Sequence, residues 1–290
     1  MASKFFFALL ELVRPLEWSK SLSNMVVAVL TAALVYSIQL DFMLFLKGFV
    51  SIALLWSGLY ALNDFTDWRQ DAKHAVKKER PIPSGRVKPW TALFFSLLLI
   101  IVSFIIAFSI NVLIVFAWFG MLLNQFLYTM KPFELKKWPF FDLVSGSLVN
   151  PILRFYFGWL LFLQEFNAPL IVLLFVLGIQ FGGYGLYRMM SKGFEKEQKM
   201  KSSVIVFGEK NIKTVFYFSI FVGLVSYFIA SITVWGVKFL FLGLLSLLAL
   251  PLYYNALKQP EQAEMRKMYK IIYFHNLLFI AGFVLFYFLF

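Results

Sequence analysis

The sequence predicts an all-α integral membrane protein, nine transmembrane helices in one domain over residues 1–290. Three observations carry that prediction: an apolar composition, apolar runs of spanning length, and an uneven distribution of positive charge. Hydrophobic residues make up 61% of the chain and charged residues only 14%, whereas soluble domains carry about 25% charged residues. Mean hydropathy is +0.79. The absence of cysteine excludes disulfides, thiolate metal centres and a cysteine nucleophile.

The first element, KFFFALLELV from Lys4, is too short to cross a bilayer, which takes about 20 residues. With no small-residue cleavage site after it, it reads as a retained interfacial helix within an N-terminal segment, 1–21. Pro15 ends that helix. Arg14, Trp18 and Lys20 are residue types that anchor at a headgroup boundary. The spans then follow at 22–40, 42–61, 90–110, 112–130, 140–162, 169–187, 214–234, 237–252 and 271–290. The third and fourth are divided at Ser109–Asn111 because the uninterrupted run would cross the bilayer twice.

Positive charge tests this division. With the N-terminus inside, only Lys47 and Lys238 fall on the outer side and only Arg154 within a span, out of 27 Lys and Arg. Such a bias is the positive-inside pattern for N-in, C-out, and a wrong span count would scramble it. A multi-pass protein of a prokaryotic inner membrane is expected. The net charge of +12 therefore belongs to the membrane face and does not imply nucleic acid.

The most informative stretch is YALNDFTDWRQDAKHAVKKERPIPSGR, within an inner loop at 62–89. Asn63, Asp64, Asp67 and Asp71 fall within a wedge of roughly 100° if the chain is helical there. Carboxylates so crowded retain cations. An oxygen-only donor set, with His74 as the sole nearby imidazole, favours Mg²⁺. Lys73, Lys77, Lys78, Arg80 and Arg86 follow, suited to phosphate oxygens. The combined reading is a Mg-diphosphate site.

Other polar residues share the inner side. Asn124 and Tyr128 lie four apart on the fourth span, ahead of Lys131, Lys136, Lys137 and Asp142. Arg154 lies deep in the fifth span on the face of Asn150, where an ionised side chain costs several kcal/mol unless paired or solvated; it is expected to line a polar cavity. Gln180, Tyr184 and Arg188 form a stripe that continues through Lys192, Glu195 and Lys199 into a second inner loop, 188–213. That stripe either grips phosphate or forms a basic surface. His275 and Asn276 are expected to pack.

These motifs resemble one family. N-D-x-x-D-x-x-x-D at Asn63, Asp64, Asp67 and Asp71, with RPIPSGR at Arg80 to Arg86, is similar to the first motif of the UbiA superfamily of intramembrane prenyltransferases. RPLEWSK, LYTMKPFELKKWPFFD and SVIVFGEKNIKT resemble its other landmarks, so the likeness spans nearly the whole chain. The resemblance implies a nine-helix bundle around a lipid-open cavity. It implies Mg²⁺ and an isoprenoid diphosphate held by Asn63, Asp64, Asp67 and Asp71, with Lys73 and Arg80 on phosphate and Tyr128 and Lys131 beside the leaving group. Where the family carries a second aspartate cluster, this chain has Arg188 and Glu195, which leaves Arg188 and Lys192 as candidate fixed cations in place of a second ion.

The activity expected from the resemblance is transfer of an isoprenyl chain from a polyprenyl diphosphate to a membrane-associated acceptor. Two alternatives remain open. RPxxWxK also resembles the UbiA-like polyprenyl-phosphate phosphoribosyltransferases, which use phosphoribosyl diphosphate. A non-catalytic lipid-binding protein with half a metal site is the other.

Overall fold

The structure is a computed structural model that describes residues 2–73, 77–197, 199–258 and 265–289. His74 lies outside the described residues, as do residues 259–264. The described residues are helical with no strand.

The chain opens with α1 (Ala2–Val13), which ends at Arg14 in the left-handed conformation (φ 50°) before a 3₁₀ turn at Pro15–Glu17. Pro15 supplies no N–H to continue the helix. Helix α2 (Trp18–Tyr36) is followed by α3 (Phe42–Asp71), started by Asp41 accepting from the amides of Met43 and Leu44. The sequence reading ends the second span at 61, but α3 runs unbroken through the aspartates to Asp71. Helices α4 (Pro89–Phe108) and α5 (Val112–Thr129) are separated at Ser109–Asn111 as expected, with Asn111 capping α5 through the Ile114 amide.

Next come α6 (Phe141–Val144), a π-helical turn at Ser145–Val149 and α7 (Asn150–Trp159). Helix α8 (Leu170–Met190) leads to α9 (Lys192–Glu197) and α10 (Ser203–Val206). Helix α11 (Glu209–Ala230) continues through a π turn to Trp235. The chain finishes with α12 (Phe239–Leu247), α13 (Leu250–Lys258) and α14 (Met265–Leu289).

Among the described residues, seven helical stretches are long and apolar enough to cross a membrane: Phe5–Tyr36, Phe42–Asp71, Pro89–Phe108, Val112–Thr129, Leu170–Met190, Glu209–Trp235 and Lys267–Leu289. Length and apolarity thus single out seven of the nine expected spans. The expected 140–162 span is divided by its π turn and carries buried Asn150 and Arg154. It packs inside the bundle, with Phe155, Phe157 and Trp159 at 0% exposure. The expected 237–252 span breaks between α12 and α13, just before Pro251.

Close approach holds the bundle together. Helices α8 and α11 meet at Gly178 and Gly223, where a Cβ on Gly178 would stand 2.5 Å from the Gly223 amide nitrogen. Helices α3 and α4 meet along serines: Ser51 Oγ donates to the Ser103 carbonyl (2.9 Å), Ser103 Oγ returns to Ser51 (2.7 Å), and Ser96 Oγ reaches Gly58 (2.7 Å). Small residues at contact faces and interhelical hydrogen bonds are how helices associate without a hydrophobic driving force in lipid.

Helix α1 has one exposed apolar face and one buried one. Phe5, Phe6, Phe7 and Leu10 are exposed, while Ala8 and Leu12 are buried with Ala61, Ile82, Val87 and Ala92. Its inner side therefore clamps the RPIPSGR loop against the end of α3. Glu11 reinforces the clamp by accepting from both terminal nitrogens of Arg86 (2.5 and 3.0 Å), a bond that lifts the Arg86 guanidinium pKa above its ordinary value.

Candidate active site at the end of α3

The expected acidic face exists, but it divides into two directions. Asp64 and Asp71, two turns apart on α3, share Arg80: its Nη1 lies 3.0 Å from Asp64 Oδ1 and 2.7 Å from Asp71 Oδ2. Arg14 Nη2 adds a second contact to Asp64 Oδ1 at 2.5 Å, and Lys77 Nζ lies 3.6 Å from Asp71. Both carboxylates are only 2% exposed. Asn63 and Asp67 turn instead toward the end of α5. Thr129 Oγ1 donates to Asn63 Oδ1 (2.7 Å), and Lys136 Nζ contacts both Asp67 oxygens (2.6 and 2.7 Å).

Every aspartate of the motif is therefore charge-compensated by the protein. Because the carboxylates turn to different cations, the described residues contain no cluster of three His, Cys, Asp or Glu side chains placed to hold a metal. The donor set nonetheless suits Mg²⁺: the oxygens are hard, and the Arg80 nitrogen marks a point where one cation touches two carboxylates.

Two residue groups contribute more than sequence reasoning assigned them. Arg14 and Trp18, read as headgroup anchors, turn inward. Arg14 reaches Asp64, and Trp18 Nε1 donates to Ser57 Oγ (2.9 Å), which bonds on to the Val13 carbonyl. The αL residue at Arg14 is what aims the guanidinium at α3. Lys136, which sequence does not single out from its neighbours, is buried on Asp67, while Lys131 is exposed. Lys73 stands exposed in the turn after α3. The signal for Arg14 was present in the RPLEWSK landmark; nothing in the spacing of Lys131, Lys136 and Lys137 distinguishes the one that pairs.

The 188–213 segment comes in beside this site. The Tyr128 and Tyr184 hydroxyls are 3.0 Å apart, joining α5 to α8. Arg188 is buried in an ion-pair cluster: Nη2 lies 2.7 Å from Asp142 Oδ2 and Nη1 3.0 Å from Glu195 Oε1. Asp142 also accepts from the Ser203 amide (3.1 Å) and hydroxyl (2.5 Å). Glu195 accepts from Ser191 (2.8 Å) and from Ser202. Helix α9 carries the stripe past Gly193, after a break at Ser191, and Lys192 pairs with Glu209 at 2.7 Å. Asp142 was not assigned a role from sequence. Its partner lies 46 residues away on another helix, so no local pattern in the sequence pairs them.

Deeper in the bundle, Arg154 stacks on Trp56 with its guanidinium carbon 3.8 Å from the ring centroid. Near it, Glu17 accepts from Lys20 (2.6 Å), Tyr60 (3.3 Å) and Tyr273. Asn276 donates to the Ser19 carbonyl (3.1 Å) and Tyr253 bonds His275 (2.9 Å), so both residues serve packing as expected.

A helical membrane bundle with an oxygen-rich helix face ringed by cations defines the class, and comparison with known proteins names the family. Residues 24–288 match the UbiA prenyltransferase family, and the chain belongs to it. A UbiA homologue from Archaeoglobus fulgidus bound to GPP and Mg²⁺ superposes with TM-score 0.77 at 17% identity, over 96% of this chain and 99% of that one. A UbiA homologue from Aeropyrum pernix gives 0.74 at 14% identity, over 93% and 97%. At these identities the likeness is one of fold. Protoheme IX farnesyltransferase of Bdellovibrio bacteriovorus is 37% identical over 34% of this chain and 34% of its own length. Digeranylgeranylglyceryl phosphate synthase of Methanosarcina mazei is 44% identical over 22% of this chain and 21% of its own. These matches span a third or less of the curated relatives.

Proposed function

We propose that the protein transfers an isoprenyl chain from a polyprenyl diphosphate to a membrane-associated acceptor, with Mg²⁺, at the inner face of a prokaryotic membrane with its N-terminus inside and C-terminus outside. The observation that carries the reading is the single cation position shared by Asp64 and Asp71, with Arg14 beside it on Asp64. The relatives named for farnesyl transfer and for digeranylgeranylglyceryl phosphate synthesis, and the neighbour holding GPP with Mg²⁺, support it.

Asp64, Asp71, Asp67 and Asn63 would hold the ion, which supplies Lewis-acid neutralisation of the diphosphate as the C–O bond ionises. Arg14, Arg80 and Lys136, with Lys73 and Lys131 at the rim, present N–H donors to the diphosphate oxygens. The C–O electron pair leaves on oxygen. The Tyr128 and Tyr184 rings and neighbouring apolar side chains keep water from the allylic cation. The acceptor nucleophile bonds to that carbon and releases a proton.

A second reading is favoured by Arg188: where the family places acids, this chain has a guanidinium committed to Asp142 and Glu195, with Lys192 close by in sequence. A cationic second site suits a lipid phosphate as acceptor and phosphoribosyl diphosphate as donor. One experiment decides. Purified protein with Mg²⁺ receives either labelled polyprenyl diphosphates of graded length with an acceptor panel, or phosphoribosyl diphosphate with polyprenyl phosphate. Pyrophosphate release in the first arm is expected; release only in the second selects the second reading, and release in neither overturns both in favour of a lipid-binding protein.

A further inference from the structure

We propose that Arg154 and Trp56 form a second binding site, deeper in the bundle than the acidic face, which takes the anionic oxygen head of the acceptor. Two buried donors stand there without partners. Arg154 Nε and Trp56 Nε1 have no hydrogen bond, and the two side chains, 5% and 3% exposed, are stacked on one another at 3.8 Å.

Tyr60 is the side chain that the Arg154 guanidinium reaches, and among the described residues no carboxylate pairs with it. Glu17 is the acid whose field reaches it, and that carboxylate is already engaged by Lys20, Tyr60 and Tyr273. A buried cation without an acid is expensive, and stacking on an indole offsets only part of that cost. Both orphan groups are donors, so what they lack is an acceptor, and an anionic oxygen answers both at once.

Position separates this site from the leaving group. Trp56 precedes Asp64 by eight residues on one continuous helix, about 12 Å at 1.5 Å per residue, and Tyr60 stands between them beside Arg154, so an oxygen seated on both orphan donors lies a layer below the oxygens at the aspartates. The isoprenoid tail carries no oxygen to offer. What remains is a second ligand with an apolar body and a carboxylate, phosphate or phenolate head. Assigning it to the acceptor rests on the transfer reaction proposed above; the anion site itself does not.

The test uses full-length protein in nanodiscs without Mg²⁺ or diphosphate, titrated with decanoate, decyl phosphate or uncharged decanol and read by thermal melting. At least one anion should raise Tm at concentrations where decanol does not, and the better of the two identifies the head as carboxylate or phosphate. Arg154→Gln should raise the concentration required at least tenfold. Trp56→Phe keeps the stacked ring, loses the N–H, and should raise it several-fold; it decides the matter if Arg154→Gln does not fold. Equal shifts with anions and decanol, or titrations unchanged in the variants, would overturn the proposal and leave the stack as packing. Asp64→Asn separates the two readings: it should lose prenyl transfer while binding the anion like wild type. Should transfer survive that substitution, the metal-site reading fails and the anion site stands.

Discussion

Arg188 and Asp142, 46 residues apart, meet at 2.7 Å inside the protein. The pair fastens the end of α8 to the start of α6, and Glu195 closes it from the following helix. Removing one member of a buried pair strands the other, at a cost of about 3–5 kcal/mol. Asp142→Ala should therefore lower Tm sharply. The double variant Asp142→Ala/Arg188→Met should recover most of the loss, and a thermal double-mutant cycle checks this coupling.

Arg188→Asp places a third carboxylate against Asp142 and Glu195. Without divalent ions the variant should melt well below wild type, because like charges that close cannot all ionise without penalty. Added Mg²⁺ should recover its Tm to a greater degree than it shifts wild type. Equal Mg²⁺ effects on both proteins would show that this position cannot recruit a second ion.

Lys136 holds both oxygens of Asp67. Lys136→Met frees that carboxylate, so Mn²⁺ binding without diphosphate should tighten several-fold, on the order of 1 kcal/mol for a partly solvated pair, as read by electron paramagnetic resonance. Turnover should fall because a phosphate donor is lost. Lys131→Met, at an exposed residue, should leave Mn²⁺ affinity unchanged.

The seam between α8 and α11 has no room for a side chain at Gly178, since the obstacle is the backbone of Gly223. Gly178→Ala should cost about 1–3 kcal/mol and appear as a lower Tm with the Mn²⁺ affinity of the remaining folded protein retained.

Much of the fold could be read in advance, for physical reasons specific to membranes. Spans declare themselves by length, and the break at Ser109–Asn111 followed from bilayer thickness alone. The fifth and eighth spans were harder: α7 faces protein more than lipid, which admits Asn150 and Arg154, and Leu248–Ala249 interrupts the other ahead of Pro251. For the site, helical spacing brought the acids to one region, yet Asp64 with Asp71 and Asn63 with Asp67 face different partners. Such a split depends on where Arg14, Arg80 and Lys136 arrive in three dimensions. No local pattern encodes that. Arg188 was legible as an exception but not as half of a pair, because Asp142 lies on a different helix.

The helix that begins the chain has two allegiances. Phe5, Phe6 and Phe7 face outward, and Ala8 and Leu12 brace the loop that delivers Arg80. The grip on the carboxylates is thereby geared to how this helix seats against the loop. A substitution that prises Leu12 away from Ile82 and Val87 would slacken Arg80 as well, so the carboxylates answer to packing far from them in sequence.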